Sequence, residues 1–166
     1  MPTTSAVTKV QKSSPLLGLL PYIGVILFVV TAVPIWFGDH TGDWHQQLVS
    51  NGVQYLIGWA ALGAGISHLF FGPKIARSIG WAPSPFQLEV AFANIAFGVV
   101  GLLATSHTPE FWLAIILASA IYRFGCGYGH IKQIVQARNF AINNTAILFL
   151  NFVVPAALLA MYYAWI

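Results

Sequence analysis

Five long apolar runs, separated by short polar connections, account for most of the chain. The spans lie at Leu16 to Phe37, about Asn51 to Gly72, about Ser84 to Thr105, about Phe111 to His130 within an apolar segment from Glu110 to Gln136, and Phe140 to the C-terminus. Each is close to the roughly 20 residues a helix needs to cross a bilayer. The alternating ten-residue pattern of a membrane β-barrel is absent, and hydrocarbon admits only segments whose backbone groups are satisfied internally. The pattern therefore predicts an all-α integral membrane bundle of five transmembrane helices. Residues 1–15 form a polar tail ahead of a single transmembrane domain, 16–166. Lys9 and Lys12 precede the first run as they would in a signal peptide, and removal of that run would leave four spans. Its length of about 22 residues and Pro34, just after the one plausible cleavage point near Ala32, favour retention.

Composition narrows the class further. Hydrophobic residues make up 58% of the 166, and charged residues only 7%, against about a quarter in soluble domains. A net charge of +3 is too small and too scattered for nucleic-acid binding. The single cysteine, Cys126, allows no disulfide within the chain. The partner implied by this composition is the lipid bilayer.

The charges that remain are ordered along the sequence. Lys9 and Lys12, Lys74 and Arg77, and Lys132 and Arg138 fall in one alternate set of connections, whereas Asp39, Asp43 and Glu110 fall in the other. Basic connections stay in the cytoplasm, so the N-terminus is expected inside and the C-terminus outside. The expected location is the cell inner (plasma) membrane, crossed several times.

Polar residues inside the spans are the candidate chemistry. At 1.5 Å per residue from each span midpoint, His68 falls about 10 Å below the midplane, Glu89 about 9 Å, Arg123 about 3 Å, His130 about 13 Å and Asn144 about 10 Å. Arg123, Cys126, Gly127 and His130 repeat at helical spacing and share a stripe. Gly125 and Gly129 have the small-residue spacing that brings helices together. Pro155 leaves the carbonyl of Asn151 without a helical donor. Glu89 is the one intramembrane acid and thus the expected counter-charge of Arg123. Ionisable residues at such depth are expensive and mark functional sites by default. Mutual neutralisation between helices is the plainer account of the same residues.

Metal binding has weaker support. His68, His130 and Glu89 have the composition of a two-histidine, one-carboxylate site, but no short motif joins them. His40, His45 and His107, near Asp39, Asp43 and Glu110, offer a second set in the outer connections, where polarity is expected of any wetted loop.

The segment ISHLFFGPKIARSIGWAPSPFQLEVAFANIAFGVVGLL resembles the DoxX-like small bacterial membrane proteins and an uncharacterised membrane family allied to them. The resemblance rests on the helix end at His68 to Gly72, the basic turn with Ile79-Gly80-Trp81, the helix start at Pro85 to Glu89, and the glycine-rich run Gly98 to Leu103. It implies a four-helix membrane fold and a quinone-linked redox or accessory role around His68 and Glu89. A fifth span departs from that fold, and no catalytic motif accompanies the likeness.

Three functions fit these observations. The first is an accessory or redox-linked subunit, not an enzyme on its own, that binds a quinone-like or other amphiphilic ligand among Phe92, Tyr122, Phe124 and Tyr128. The second is a component of a small-solute or proton-coupled transporter, which at this size would act as a homo-oligomer or within a larger complex. The third is a structural or assembly protein without a ligand.

Overall fold

The computed structural model describes residues 22–40 and 42–166. The expected polar tail, Lys9, Lys12 and the start of the first apolar run lie outside the described residues. Five helices follow: α1 Ile23–Phe37, α2 Trp44–Ser78, α3 Phe86–Ala104, α4 Pro109–Ala137 and α5 Ile142–Trp165. No strand occurs among the described residues. Helices α2 to α5 are long and apolar enough to cross a membrane. The 15 described residues of α1 reach only about 22 Å at helical rise.

Three boundaries differ from those expected. Helix α2 begins before Asn51, because the Asp43 carboxylate accepts the amide of Gln46 at 3.1 Å and caps its first turn. Trp44 and His45, expected in a loop, are therefore helical. At its other end α2 runs past Gly72 to Ser78, bending at Phe71 (φ −127°, ψ 15°). Pro73 has no N–H to give Leu69 O, so the chain bends there without stopping. Helix α4 likewise continues beyond His130 and carries Lys132 to its end at Ala137.

Packing is closest between α2 and α3. A Cβ on Gly98 would lie 2.6 Å from Leu62 N, and one on Gly101 would lie 2.9 Å from Gly58 N. Glycine at these crossings brings backbone against backbone, as membrane helices do where the solvent supplies no hydrophobic drive. The dry core lies toward the start of α2: Val49, Val53 and Ile57 meet Trp112, Ile115 and Ile116 of α4 and Leu158 and Tyr162 of α5. Trp112 Nε1 donates to Ala104 O at 2.7 Å and ties α4 to the end of α3. Outward faces carry large apolar side chains, with Phe37 80% and Ile142 82% exposed. Such a surface suits lipid rather than water.

Two helices change register midway. Val53–Trp59 in α2 and Phe149–Val153 in α5 are π-helical. Such insertions are rare, occur often at functional sites, and leave carbonyls out of step with the ladder.

Candidate functional site

Beyond the dry core the helices part around a cavity of about 600 Å³. Its walls come from α2 (His68, Ser67), the α2–α3 turn (Trp81), α3 (Gln87, Asn94), α4 (Tyr122, Arg123, Cys126, His130) and α5 (Asn151). The helical stripe on α4 explains why Arg123, Cys126 and His130 reach one space. Gly125 and Gly129 also face the cavity. They do not mark a close helix approach: a Cβ on Gly125 would meet nothing within 4 Å, and one on Gly129 only the Trp81 ring at 3.6 Å. The tight approach is at Gly127, whose Cβ would meet Phe152 and Asn151 of α5. On the cavity side the missing side chains leave room instead.

Arg123 is answered by backbone, not by Glu89. Its Nη1 donates to Leu150 O at 3.0 Å and its Nη2 to Leu56 O at 2.7 Å. Both acceptors belong to the π-helical stretches, one on each of two helices. In α2 the amide of Ala60, the ordinary partner of Leu56 O, is turned to Tyr55 O and Ile57 O. In α5 the π-register sets Leu150 O against residue 155, five positions on, and Pro155 has no N–H. With a proline at that place, Leu150 O is open to Arg123. One guanidinium fork fills both gaps, which a planar group with five donors can do.

Glu89 stands apart. It lies in the first turn of α3, exposed, and outside the cavity wall. A carboxylate in the first turn is favoured by the helix dipole and needs no buried cation. Its place along α3 is as expected, about 9 Å from the helix middle, but it faces outward from the bundle, which depth alone does not tell. His68 and His130 share the cavity, but without a carboxylate from Glu89 beside them.

The second polar wall is a relay from the α2–α3 turn to α5. Gly80 takes φ +76°, the left-handed conformation that glycine adopts freely. Trp81 N donates to Ala76 O at 2.8 Å and Gly80 N to Arg77 O at 3.1 Å, which closes α2 as a Schellman turn. Asn139 Nδ2 donates to Ile79 O at 2.8 Å and holds the turn against the α4–α5 connection. Trp81 is thereby aimed at Asn144, and its Nε1 donates to Asn144 Oδ1 at 2.9 Å. His130 Nδ1 is 2.8 Å from the same oxygen. Asn144 is fully buried and its Nδ2 donates to Asn139 O at 3.1 Å. Opposite, His68 Nδ1 is 2.7 Å from Gln87 Oε1, and Asn94 Nδ2 donates to the Tyr122 hydroxyl at 2.8 Å.

Trp81, Gln87 and Asn94 were not among the residues singled out from the sequence. Trp81 lies at a turn and Gln87 in the first turn of α3, where charge and depth give no cue. Asn94 lies at the middle of the span, where a polar side chain was itself a cue. Gly80 was the available signal for Trp81, since a turn glycine fixes the direction of its neighbour. Of the aromatic residues expected around a ligand, only Tyr122 lines the cavity. Phe92 and Tyr128 are 57% and 67% exposed, and Phe124 stacks on Phe152 at 5.8 Å between centroids.

The outer histidines take up ring and backbone contacts. His40 stacks on Trp44 at 4.4 Å, its Nε2 2.9 Å from Trp36 O. His45 stacks on Trp165 at 5.3 Å. His107 stacks on Phe111 at 4.8 Å, its Nδ1 2.8 Å from Leu103 O. Among the described residues no three His, Cys, Asp or Glu side chains are grouped to hold a metal ion.

No curated protein and no solved structure matches this chain. One protein family does, over residues 18–165, nearly the whole chain. With that match spanning the helical bundle and its cavity alike, the chain belongs to a family of unknown function (DUF6790).

Proposed function

We propose that this multi-pass protein is a ligand-binding membrane subunit that holds a ring-bearing amphiphile, quinone-like in shape and size, within its helical bundle. The observation that carries this reading is the cavity of about 600 Å³, with polar groups on facing walls and apolar side chains between them. That volume falls within the usual range for small-molecule sites, and a few placed polar groups in an apolar wall are what such sites present. The likeness to DoxX-like proteins supports the same reading, as does the absence of an acid beside Arg123, which leaves the arginine a positioning element rather than half of an ion path. On the charge distribution, the cavity opens toward the cytoplasmic half of the inner membrane. The protein contributes binding; chemistry on the ligand would belong to a partner in a larger complex.

The test is native mass spectrometry and solvent extraction of the full chain purified in mild detergent. A bound hydrophobic small molecule at near-stoichiometric amount is expected. Gly125→Phe, which places a ring where the wall is open, is expected to abolish it while leaving the helical circular-dichroism signal intact. Ligand-free protein, or a ligand retained equally by Gly125→Phe, would overturn the proposal.

A further inference from the structure

The relay at Asn144 settles which hydrogen-bonding face His130 turns to the cavity. An indole nitrogen only donates, so the atom receiving Trp81 Nε1 must be the amide oxygen. The other amide atom donates to Asn139 O, consistent with that orientation. Asn144 Oδ1 has no hydrogen to give, so His130 Nδ1, 2.8 Å away, must carry one. Neutral imidazole, the main form at neutral pH, has a single N–H. With that hydrogen committed to Asn144, His130 Nε2 is a bare acceptor, and among the described residues no protein donor reaches it. His68 lines the same cavity, its Nδ1 2.7 Å from Gln87 Oε1. Trp81 further fixes the His130 ring, the two centroids lying 5.1 Å apart.

Resting on the binding function proposed above, we infer that the ligand is a hydroxylated ring amphiphile of the hydroquinone class, and that His130 Nε2 accepts a hydrogen bond from its ring hydroxyl. A carbonyl-only quinone has no hydrogen to offer this nitrogen and would leave a desolvated lone pair unanswered. Arg123, whose guanidinium has N–H groups beyond those given to Leu56 O and Leu150 O, lines the same cavity and supplies donors for the hydroxyl oxygens. The selecting residue is His130, oriented by Trp81 and Asn144.

The experiment compares decylhydroquinone, its dimethyl ether and decylquinone by anaerobic calorimetric titration into the full chain in mild detergent. The hydroquinone is expected to bind about tenfold or more tightly than either analogue, as befits a buried acceptor that loses its donor. In His130→Phe that preference is expected to fall to near unity, with the affinity for the ether little changed. Equal binding of all three compounds to the wild type would overturn the donor requirement while leaving the cavity a binding site. Binding of none would overturn both. Nitrogen-15 NMR of histidine-labelled wild type gives a test that needs no variant: His130 is expected as the Nδ1–H tautomer, and an Nε2–H signal would overturn the inference.

Discussion

At the scale of single residues, Arg123 shows how a buried cation is tolerated without an anion. Two carbonyls, Leu56 O and Leu150 O, take its hydrogens at 2.7 and 3.0 Å. Truncation to Met leaves both acceptors unanswered, and hydrogen bonds to a charged group are worth roughly 1.5 to 3 kcal/mol each in water-soluble proteins. Measured values within membranes are smaller. Arg123→Met is therefore expected to lower stability in detergent by about 3 kcal/mol, read from reversible unfolding. Arg123→Lys should recover only part, because an ammonium lacks the planar fork that spans two helices. Glu89→Gln, at an exposed first-turn position, should change stability by about 0.5 kcal/mol or less. A double-mutant cycle between positions 89 and 123 is expected to be additive. Coupling of 1 kcal/mol or more would restore the ion pair that depth alone had suggested.

Elements and their registers carry the next level. Hydropathy set the number and class of the helices, because a bilayer-length apolar run has one physical solution. It placed α3 and α5 to within about two residues. It drew the α2 and α4 spans short of their helices: a cap at Asp43 and the bend at Phe71 extend α2, and α4 runs past the span end at His130 to Ala137. Helical phase on α4 put Arg123, Cys126, Gly127 and His130 on one stripe; the first two and the last line the cavity, and Gly127 packs against α5. The partners of those residues were not legible: Trp81 and Asn144 are 63 positions apart in sequence, and the π-helical stretches have no clear sequence signature. Pro155 was the exception, visibly depriving a carbonyl of its donor, though which carbonyl depended on the register. That dependence is testable. In Pro155→Ala an amide becomes available to Leu150 O, so one of the two bonds made by Arg123 becomes replaceable. The stability cost of Arg123→Met is expected to be smaller in the Pro155→Ala background than in the wild type, by about 1 kcal/mol. An unchanged cost would mean that α5 keeps its register without the proline.

For the whole molecule, charge and cavity share one end. Lys74 and Arg77 close α2, Lys132 lies in the last turns of α4, and Arg138 follows it. The turn that aims Trp81 at Asn144 lies between these basic segments. Asp39, Asp43 and Glu110 belong to the opposite end, beside the stacked rings of Trp44, His45 and Trp165, an aromatic belt of the kind found at membrane surfaces. Lysine and arginine near span ends set orientation, whereas acids contribute little. By that rule the basic connections after α2 and α4 predict the C-terminus outside, whether or not α1 crosses. The N-terminus decides that second question. If α1 spans, it starts inside; if it lies along the surface, it starts on the same side as Asp39 and Asp43. Lys9 and Lys12 weigh toward the first arrangement by the same rule. A C-terminal alkaline phosphatase fusion is expected to be active and a cytoplasmic reporter at that site silent. An epitope placed before Lys9 is expected to resist protease added to intact spheroplasts and to be cut once the membrane is breached. Cleavage in intact spheroplasts, with the C-terminal result unchanged, would reduce the bundle to four crossings and put α1 at the outer surface. An inactive phosphatase would invert the whole molecule and turn the cavity outward.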